Sequence, residues 1–230
     1  FEAGGFRLSE ERILGLDTLF QLSLHVAREA FQEGGLSSDR TGLIMGNLSF
    51  PSTSMSRYAE SVWLGDHVPH GEVIPENRFM SGLPALLARR ALGLGGPAFA
   101  LDAACASSLY AIKLACDALH DGRADAMLAG AVNRADDLFI HVGFCALKAM
   151  SKSGQTRPFH AEADGLIPAE GAGFVLLKRL ADAERDGNHI YGVIKAVGLS
   201  NDGRGSGLLA PAAEGQRRAL EQAYRLSGID

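Results

Sequence analysis

The sequence has few of the features that mark membrane, secreted or nucleic-acid-binding proteins. It has no run of about 18 apolar residues, which a transmembrane helix needs. Its first five residues lack the basic and apolar segments of a signal peptide. The formal charge of -5 over 230 residues argues against nucleic-acid binding, because proteins that bind phosphate backbones are usually basic. We therefore expect neither a membrane nor a nucleic acid as partner.

Cysteine is also scarce, with Cys105, Cys116 and Cys145 as the three in the chain. An odd and sparse count does not fit the disulfide framework of a secreted protein. None of the three has a partner at the spacing of a zinc site, so no metal is expected. A reducing, cytoplasmic location fits this usage. The first residue is Phe1 rather than methionine, so we expect the chain to be a piece of a longer polypeptide.

The composition itself is that of an ordinary globular protein. Hydrophobic residues make up 47% of the chain and charged residues 21%, which excludes a mainly disordered state. A chain of this length buries a sizeable core without a disulfide or metal staple. No internal repeat and no long flexible linker interrupts the sequence, so one large α/β domain is the expected architecture.

Hydrophobic spacing predicts helices that alternate with short apolar strands. The helices are expected at 8–33, 79–92, 109–120, 179–186 and 211–226. The strands are expected at 41–46, 97–101, 124–132, 173–178 and 191–197. A loop and short-helix insertion is expected from 47 to 75, where serine and proline are common. The strand–turn–helix–strand order around residues 97–132 is typical of a mostly parallel sheet.

Cys105 is the candidate nucleophile. It lies in the small-residue turn 102–108, between a predicted strand and a predicted helix. Small neighbours permit a tight turn that exposes the sulfur. The N-terminus of a helix supplies free N–H groups and a partial positive charge, which favour an anion and suit the oxyanion of an acyl thioester. The alternative is that Cys105 is a small, buried core residue.

The remaining candidate groups have weaker contexts. Cys116 follows Cys105 by about three helical turns and is predicted to pack in the core. Cys145 is also predicted to pack in the core, with a position lining a pocket as the alternative. None of the seven histidines has a context typical of a catalytic base, and His160 is the best of them. The glycine-rich segments 171–173 and 203–207 match neither dinucleotide nor P-loop patterns.

Several segments, in order along the chain, carry a family resemblance. They are Leu101–Leu109 around Cys105, Ala129–Asn133, Leu147–Ser151, Arg157–Phe159, Ala163–Gly165 and Glu170–Gly173. Together they resemble the β-ketoacyl synthases (ketosynthases) of the thiolase superfamily, although Ala103 stands where threonine is common. The resemblance implies an α/β, thiolase-like layered fold (α-β-α) with a mostly parallel five-stranded sheet. It identifies residues 1–230 as the N-terminal lobe of a ketosynthase, with both ends truncated and the C-terminal lobe absent.

The resemblance also implies an activity for Cys105. The cysteine accepts an acyl group from the phosphopantetheine of an acyl carrier protein. The acyl group then condenses with a decarboxylated malonyl thioester, in fatty acid or polyketide elongation. No cofactor is bound, and the catalytic histidines of the family lie in later motifs that this chain does not contain. A homodimer is implied as well, because in the family the strand before the cysteine pairs with its twofold copy.

Other positions follow from the same resemblance. The segment Ser200, Asn201, Asp202 and Gly203 corresponds to a loop that gates the substrate tunnel in the family. Residues 166–169 depart from the usual family pattern at that point. Three alternatives stay open: an enzyme that only transfers acyl groups, a non-condensing partner subunit that shapes chain length, and a thiolase or chalcone-synthase-like enzyme. Such partner subunits lack the cysteine, and the segments 163–165 and 170–173 argue against the third alternative.

Overall fold

The computed structural model describes residues 1–65, 74–134, 137–205 and 210–229. These residues form two compact units, Phe1–Lys178 and Arg179–Asp230. The elements of the first unit are α1 (Glu10–Gly15), α2 (Thr18–Gly34), β1 (Thr41–Gly46), α3 (Thr53–Leu64), a 3-10 turn (Pro75–Arg78), α4 (Leu83–Leu92), β2 (Ala98–Leu101), α5 (Ser107–His120), β3 (Ala126–Asn133), α6 (Asp137–Ala146) and β4 (Gly171–Lys178). The second unit contains α7 (Leu180–Arg185) and α8 (Ala213–Ser227).

The sheet of the first unit is mostly parallel, as predicted. Its strands follow the order β2-β1-β3-β4. The central strand β1 pairs in parallel with β2 and β3, and β4 runs antiparallel to β3. Gly46, the last residue of β1, lies beside Leu101 of β2 and Ala131 of β3. The carboxyl-terminal ends of β1 and β2 therefore lie side by side at the same end of the sheet. The carboxyl-terminal part of β3 lies next to β1 at this end.

Helices cover both faces of this sheet, which confirms the predicted α-β-α layering. Successive residues of a strand point to opposite faces, and β1 shows this directly. Its Leu43 and Met45 belong to a core with α2 and α4, whereas Ile44 belongs to a second core with α5. The second core has small residues on the helix side, where Ala111 and Ala115 of α5 are fully buried. Small residues let α5 approach the sheet closely, which fixes the position of its N-terminus.

The long first helix predicted at 8–33 is wrong, because the chain forms two helices there. Leu16 is extended at the end of α1, with ψ 153°. Asp17 then caps α2, its Oδ1 accepting a hydrogen bond of 2.9 Å from the N–H of Leu19. The side chain of Asn77 fixes the break from outside, since its Oδ1 accepts a 2.7 Å hydrogen bond from the N–H of Asp17. Gly35 ends α2 in the left-handed conformation that glycine adopts readily, with φ 57°.

The predicted fifth strand at 191–197 is also wrong. In the described parts of the chain the sheet has four strands, and residues 191–197 form no regular element. Their apolar composition predicted a strand, but a strand also needs a neighbour that completes its hydrogen-bond ladder. Tyr191, Val193 and Ile194 are instead exposed within their own unit.

The sequence missed helix α6, whereas α3 falls in the insertion that was expected to contain a short helix. Helix α6 was not predicted, since its apolar residues occur on all sides and leave no polar face to mark a periodicity. Helix α3 lies inside the predicted insertion, whose residues 66–73 are outside the described part of the chain. None of the helices that the structure describes has the length and hydropathy needed to cross a bilayer.

Candidate active site

Cys105 lies in a tight turn at the carboxyl edge of the sheet. Strand β2 ends at Leu101 and helix α5 begins at Ser107, so residues 102–106 connect them. The Cys105 side chain is exposed and is not part of a disulfide. The alternative of a buried core cysteine is therefore wrong for this residue. In open α/β sheets, ligands bind at this carboxyl edge.

The residue before Cys105 has a strained backbone. Ala104 adopts φ +50°, a left-handed conformation that costs a non-glycine residue about 1–2 kcal/mol. Its N–H donates a 2.8 Å hydrogen bond to Oδ1 of Asp102, which holds the chain in this conformation. Strained residues of this kind cluster at active sites, where the surrounding structure maintains them. Here the strain directs the chain sharply from β2 into α5 and exposes Cys105.

Ser107 fastens the turn from its far side. Its Oγ accepts a 2.9 Å hydrogen bond from the N–H of Ala103 and donates a 2.7 Å bond to the carbonyl oxygen of Ala104. The residue is only 2% exposed, so water does not compete for these bonds. This role of Ser107 was not predicted from the sequence. The sequence feature that indicates it is a serine two residues after the nucleophile, because serine side chains readily form hydrogen bonds with nearby backbone groups.

Helix α5 directs its N-terminus at the same turn. Its N-cap residue, Ala106, makes no capping hydrogen bond with its side chain. The N–H of Ser107 donates a hydrogen bond to the carbonyl oxygen of Ala104, and the N–H of Tyr110 donates to the carbonyl oxygen of Ala106. The N–H groups of Ser108 and Leu109, between them, belong to the first turn and have no acceptor inside the helix. Such groups next to an exposed thiol are suited to stabilising the negative charge of a thioester reaction.

Gly46 brings β1 into contact with this turn. A Cβ atom on Gly46 would lie 2.7 Å from Cβ of Ser107 and 2.9 Å from its carbonyl carbon. Only glycine permits the strand and the helix to approach so closely. The contact joins the end of β1 to the residue that fastens the Cys105 turn.

The two other cysteines have different surroundings. Cys116 is half-buried in α5, and burial, with a smaller contribution from the carboxylate of Asp117, raises the pKa of its thiol. Cys116 belongs to neither of the two buried cores of the described residues, so the predicted core packing is not confirmed. Cys145 is exposed on α6, so the predicted packing role is wrong within the described residues. The reason is that α6 is apolar on all sides and leaves Leu138 and Val142 exposed as well.

His160, the best candidate among the histidines, is exposed and lies in the loop between α6 and β4. Its Nδ1 accepts a 3.1 Å hydrogen bond from the N–H of Glu162. Phe159, just before it, is fully exposed and has φ +60°. The described residues contain no group of three or more histidine, cysteine, aspartate or glutamate side chains placed to hold a metal ion.

The side chain of Asp164 connects the two ends of the loop that contains His160. Its carboxylate accepts hydrogen bonds of 2.6 Å from the hydroxyl of Ser151 and 2.8 Å from the N–H of Ser153. These bonds, the Ser151 hydroxyl first, lower the pKa of Asp164 to about 2. Leu166 reinforces the closure by exchanging backbone hydrogen bonds with Ala149 and Ser151. The family-like segments 147–151 and 163–165 thus form one connected structure.

The predicted gating residues lie together in the second unit. Arg218 of α8 donates to the carbonyl oxygen of Asn201 at 2.8 Å and to Oγ of Ser200 at 3.4 Å. Asp202 accepts a 3.2 Å hydrogen bond from the N–H of Ala212, just before α8. Gly203 has φ 64°, and its N–H donates to Oδ1 of Asn201 at 2.6 Å. The loop is held against the start of α8, and its gating role stays a prediction.

Comparisons with known proteins agree with this geometry. The model of the family described as "Beta-ketoacyl synthase, N-terminal domain" matches residues 1–183. One component of the phenolphthiocerol/phthiocerol polyketide synthase of Mycobacterium tuberculosis is 35% identical over 237 aligned residues, covering 100% of this chain and 12% of that protein. Pikromycin polyketide synthase component PikAIII of Streptomyces venezuelae is 35% identical, covering 97% of the chain and 14% of its own length. The chain therefore spans about an eighth of the length of these relatives.

Solved structures show the same relationship. The PfaC Keto synthase-Chain length factor has a TM-score of 0.90 and 40% identity, covering 100% of this chain and 27% of that one. The ketosynthase from module 6 of the bacillaene synthase of Bacillus subtilis 168 has a TM-score of 0.78 and 29% identity, covering 95% and 37%. The thiolase-like α/β fold is thus confirmed. From the match over residues 1–183 and the exposed cysteine between β2 and α5, it follows that the chain belongs to the β-ketoacyl synthase family and contains its N-terminal domain.

Proposed function

We propose that this chain is the N-terminal lobe of a ketosynthase and that Cys105 is its acyl-accepting nucleophile. The observation that supports this most strongly is the exposed Cys105 thiol, held between the strained Ala104 and the uncapped N-terminus of α5. The named relatives are polyketide synthases, so the proposed setting is chain elongation in polyketide or fatty acid assembly.

In the proposed acyl transfer, Sγ of Cys105, as thiolate, attacks the carbonyl carbon of an acyl thioester carried on phosphopantetheine. A carbon–sulfur bond forms, and the carbonyl oxygen becomes an oxyanion near the N–H groups of the first turn of α5. When the intermediate collapses, the bond to the phosphopantetheine sulfur breaks. The carrier thiolate leaves and takes up a proton, and the acyl group remains on Cys105.

In the proposed condensation, a malonyl thioester loses its carboxylate as carbon dioxide. The electron pair of the broken carbon–carbon bond attacks the acyl carbon on Cys105, and the cysteine leaves as thiolate. The product is a β-ketoacyl thioester on the carrier, longer by two carbons. The two histidines that support this step in the family belong to motifs outside these 230 residues. Loss of carbon dioxide generates the carbanion, so the reaction needs no bound cofactor.

The partners follow from this chemistry. An acyl carrier protein delivers both thioesters, and Ser200, Asn201, Asp202 and Gly203 are proposed to gate their access. The three free cysteines support a reducing, cytoplasmic setting. A homodimer is proposed through β2, which lies at an edge of the described sheet and exposes Phe99. Light scattering on the full-length protein is expected to give a dimer, and a well-folded monomer at micromolar concentration would contradict this proposal.

Two alternatives to a condensing enzyme predict different reactions at Cys105. An enzyme that only transfers acyl groups would load Cys105 and release no carbon dioxide. A non-condensing partner subunit would not load Cys105, and the presence of the cysteine argues against it. One of the similar structures is a keto synthase-chain length factor. The experiment therefore has to distinguish a condensing ketosynthase from a non-condensing partner subunit.

The test uses the full-length protein with acyl-loaded and malonyl-loaded carrier protein. Mass spectrometry of the carrier is expected to show a β-ketoacyl group two carbons longer, with one carbon dioxide released for each product. Cys105→Ala is expected to abolish this product, whereas Cys145→Ala, which removes another exposed thiol, is expected to retain it. Acylation of Cys105 without carbon–carbon bond formation would support the acyltransferase alternative instead.

A further inference from the structure

Asp102 is the first residue of the turn that connects β2 to α5 and presents Cys105. Its Oδ1 accepts the 2.8 Å hydrogen bond from the N–H of Ala104. Asp102, Ala104 and Cys105 are all exposed. Within the described part of the chain, packing of these side chains therefore does little to hold the turn, and hydrogen bonds determine the path of the backbone.

Two side chains divide the polar backbone groups just before the nucleophile. Oγ of Ser107 bonds to the N–H of Ala103 and to the carbonyl oxygen of Ala104. The carbonyl oxygen of Ala103 accepts a 3.2 Å hydrogen bond from the N–H of Ala106. The N–H of Ala104 is the group that remains, and Asp102 is its acceptor. Asp102 thus completes a set of bonds that Ser107 leaves incomplete.

The same local arrangement occurs at the end of the neighbouring strand. Asn47 follows β1, and its Oδ1 accepts a 3.1 Å hydrogen bond from the N–H of Ser49. Ser49 has φ +56°, close to the +50° of Ala104. Aspartate and asparagine side chains commonly bond to the backbone two residues later in this way. Because the amide of Asn47 is neutral, the oxygen as acceptor, rather than a negative charge, is what accompanies the left-handed residue.

We propose that Asp102 is a positioning residue whose Oδ1, as a hydrogen-bond acceptor, keeps Ala104 left-handed and so fixes where the Cys105 thiol lies. The proposal rests on the proposed function of Cys105. The negative charge of Asp102 is not part of this role, since it has the same sign as the attacking thiolate. Without the acceptor, Ala104 returns to the backbone conformations that L-residues favour. A displacement of about 1 Å at a reacting centre costs up to 100-fold in rate.

Three variants of the full-length protein separate the acceptor from the charge. Asp102→Asn keeps the oxygen and removes the charge, whereas Asp102→Ala removes both. Ala104→Gly removes the need for an acceptor, because glycine adopts positive φ readily. The measurement is the rate at which an acyl thioester of phosphopantetheine acylates Cys105, followed by mass spectrometry.

The expected rates follow from these roles. Asp102→Ala is expected to slow acylation about tenfold or more, whereas Asp102→Asn is expected to stay within about threefold of the unmodified protein, because the same bond forms. The two changes at Asp102 and Ala104 are expected to be non-additive. Adding Asp102→Ala to Ala104→Gly should therefore lower the rate by less than about threefold relative to Ala104→Gly alone.

Asp17 provides a matched control. Its Oδ1 also accepts a hydrogen bond from the N–H two residues later, at 2.9 Å from Leu19. This bond lies at the start of α2 rather than in the Cys105 turn. Asp17→Ala is expected to acylate within about twofold of the unmodified rate, at a temperature where circular dichroism shows it folded. Iodoacetamide alkylation of Cys105 shows that the thiol stays accessible in every variant.

Each other outcome overturns the inference in a recognisable way. Equal losses in Asp102→Asn and Asp102→Ala would show that the charge acts. An equally large loss in the Ala104→Gly background would show that Asp102 does not act through Ala104. Equal losses in Asp102→Ala and Asp17→Ala would show a purely structural role.

Two further results keep the inference testable and separate from the proposed function. If Asp102→Ala does not fold, a large loss of acylation in folded Asp102→Asn would overturn the inference. Acylation at the unmodified rate by Asp102→Ala would contradict the positioning role alone. Alkylation of Cys105 without any acylation of the unmodified protein would instead contradict the proposed function, and this inference with it.

Discussion

The hydroxyl of Ser107 donates a 2.7 Å hydrogen bond to the carbonyl oxygen of Ala104, across the residue that is proposed as nucleophile. The same hydroxyl accepts from the N–H of Ala103. Cys105 is therefore presented by a closed loop of backbone in which one buried oxygen bonds to two of the residues before the thiol. The strained φ of Ala104 and the sharp entry into α5 depend on this arrangement.

Ser107→Ala removes both of these hydrogen bonds. Because Ser107 is buried, the Ala103 N–H and the Ala104 carbonyl lose a partner that water does not replace. We expect the free energy of unfolding to fall by about 1–2 kcal/mol and acylation of Cys105 to slow. Urea unfolding of the full-length protein measures the first effect. Ser108→Ala, one residue further along α5, is the control, and an equal loss of stability in that variant would contradict the assignment.

Gly46→Ala tests the close approach of β1 to the Cys105 turn. The added methyl group would lie 2.7 Å from Cβ of Ser107, so strand or helix must move. We expect a loss of about 1–3 kcal/mol of stability, typical of overpacking, together with slower Cys105 acylation. Thermal unfolding and acylation kinetics measure the two effects. Gly143→Ala in α6, where a methyl group meets open space, is expected to cause neither, and unchanged acylation in Gly46→Ala would refute the role of this contact.

The hydrogen bonds to Asp164 predict how the 151–164 loop responds to pH. The Ser151 hydroxyl and the Ser153 N–H lower the pKa of Asp164 to about 2, from an ordinary value of 3.8. A lowered pKa means that the carboxylate stabilises the closed loop fully above the ordinary value, and that this contribution is lost as the pH falls towards 2. Above pH 4 the loop is therefore expected to show no dependence on Asp164 protonation.

Carbon-13 NMR of the Asp164 carboxyl group checks this expectation. Its titration midpoint is expected close to pH 2, and a midpoint near 3.8 would show that the hydrogen bonds do not form in solution. Asp164→Asn is the control for the loop, because its side chain does not titrate. Faster hydrogen exchange of the Ser153 amide in that variant at neutral pH is the expected second result.

The sequence predicted those parts of the fold that short-range patterns determine. Small residues on both sides of Cys105 indicated the turn, and the apolar strand and helix around it were found within a few residues of their true bounds. The break at Asp17 was missed because its partner, Asn77, is 60 residues away.

Two other errors have different physical causes. The strand expected at 191–197 has the right composition, but composition does not specify a pairing partner. Cys145 was expected to pack because its neighbours are apolar, yet the structure leaves this face of α6 exposed among the described residues. Ser107 was within reach of sequence reasoning, because serine next to a sharp turn commonly bonds to local backbone.

The identity of the thiol that carries the acyl group decides whether Cys105 is the nucleophile. The full-length protein is incubated with an acyl thioester of phosphopantetheine in the absence of malonyl substrate, then digested and analysed by mass spectrometry. We predict one acyl group on the peptide that contains Cys105, none on those with Cys116 or Cys145, and no acylation in Cys105→Ala. An acyl group on Cys145 or Cys116, or labelling that persists in Cys105→Ala, would contradict this assignment.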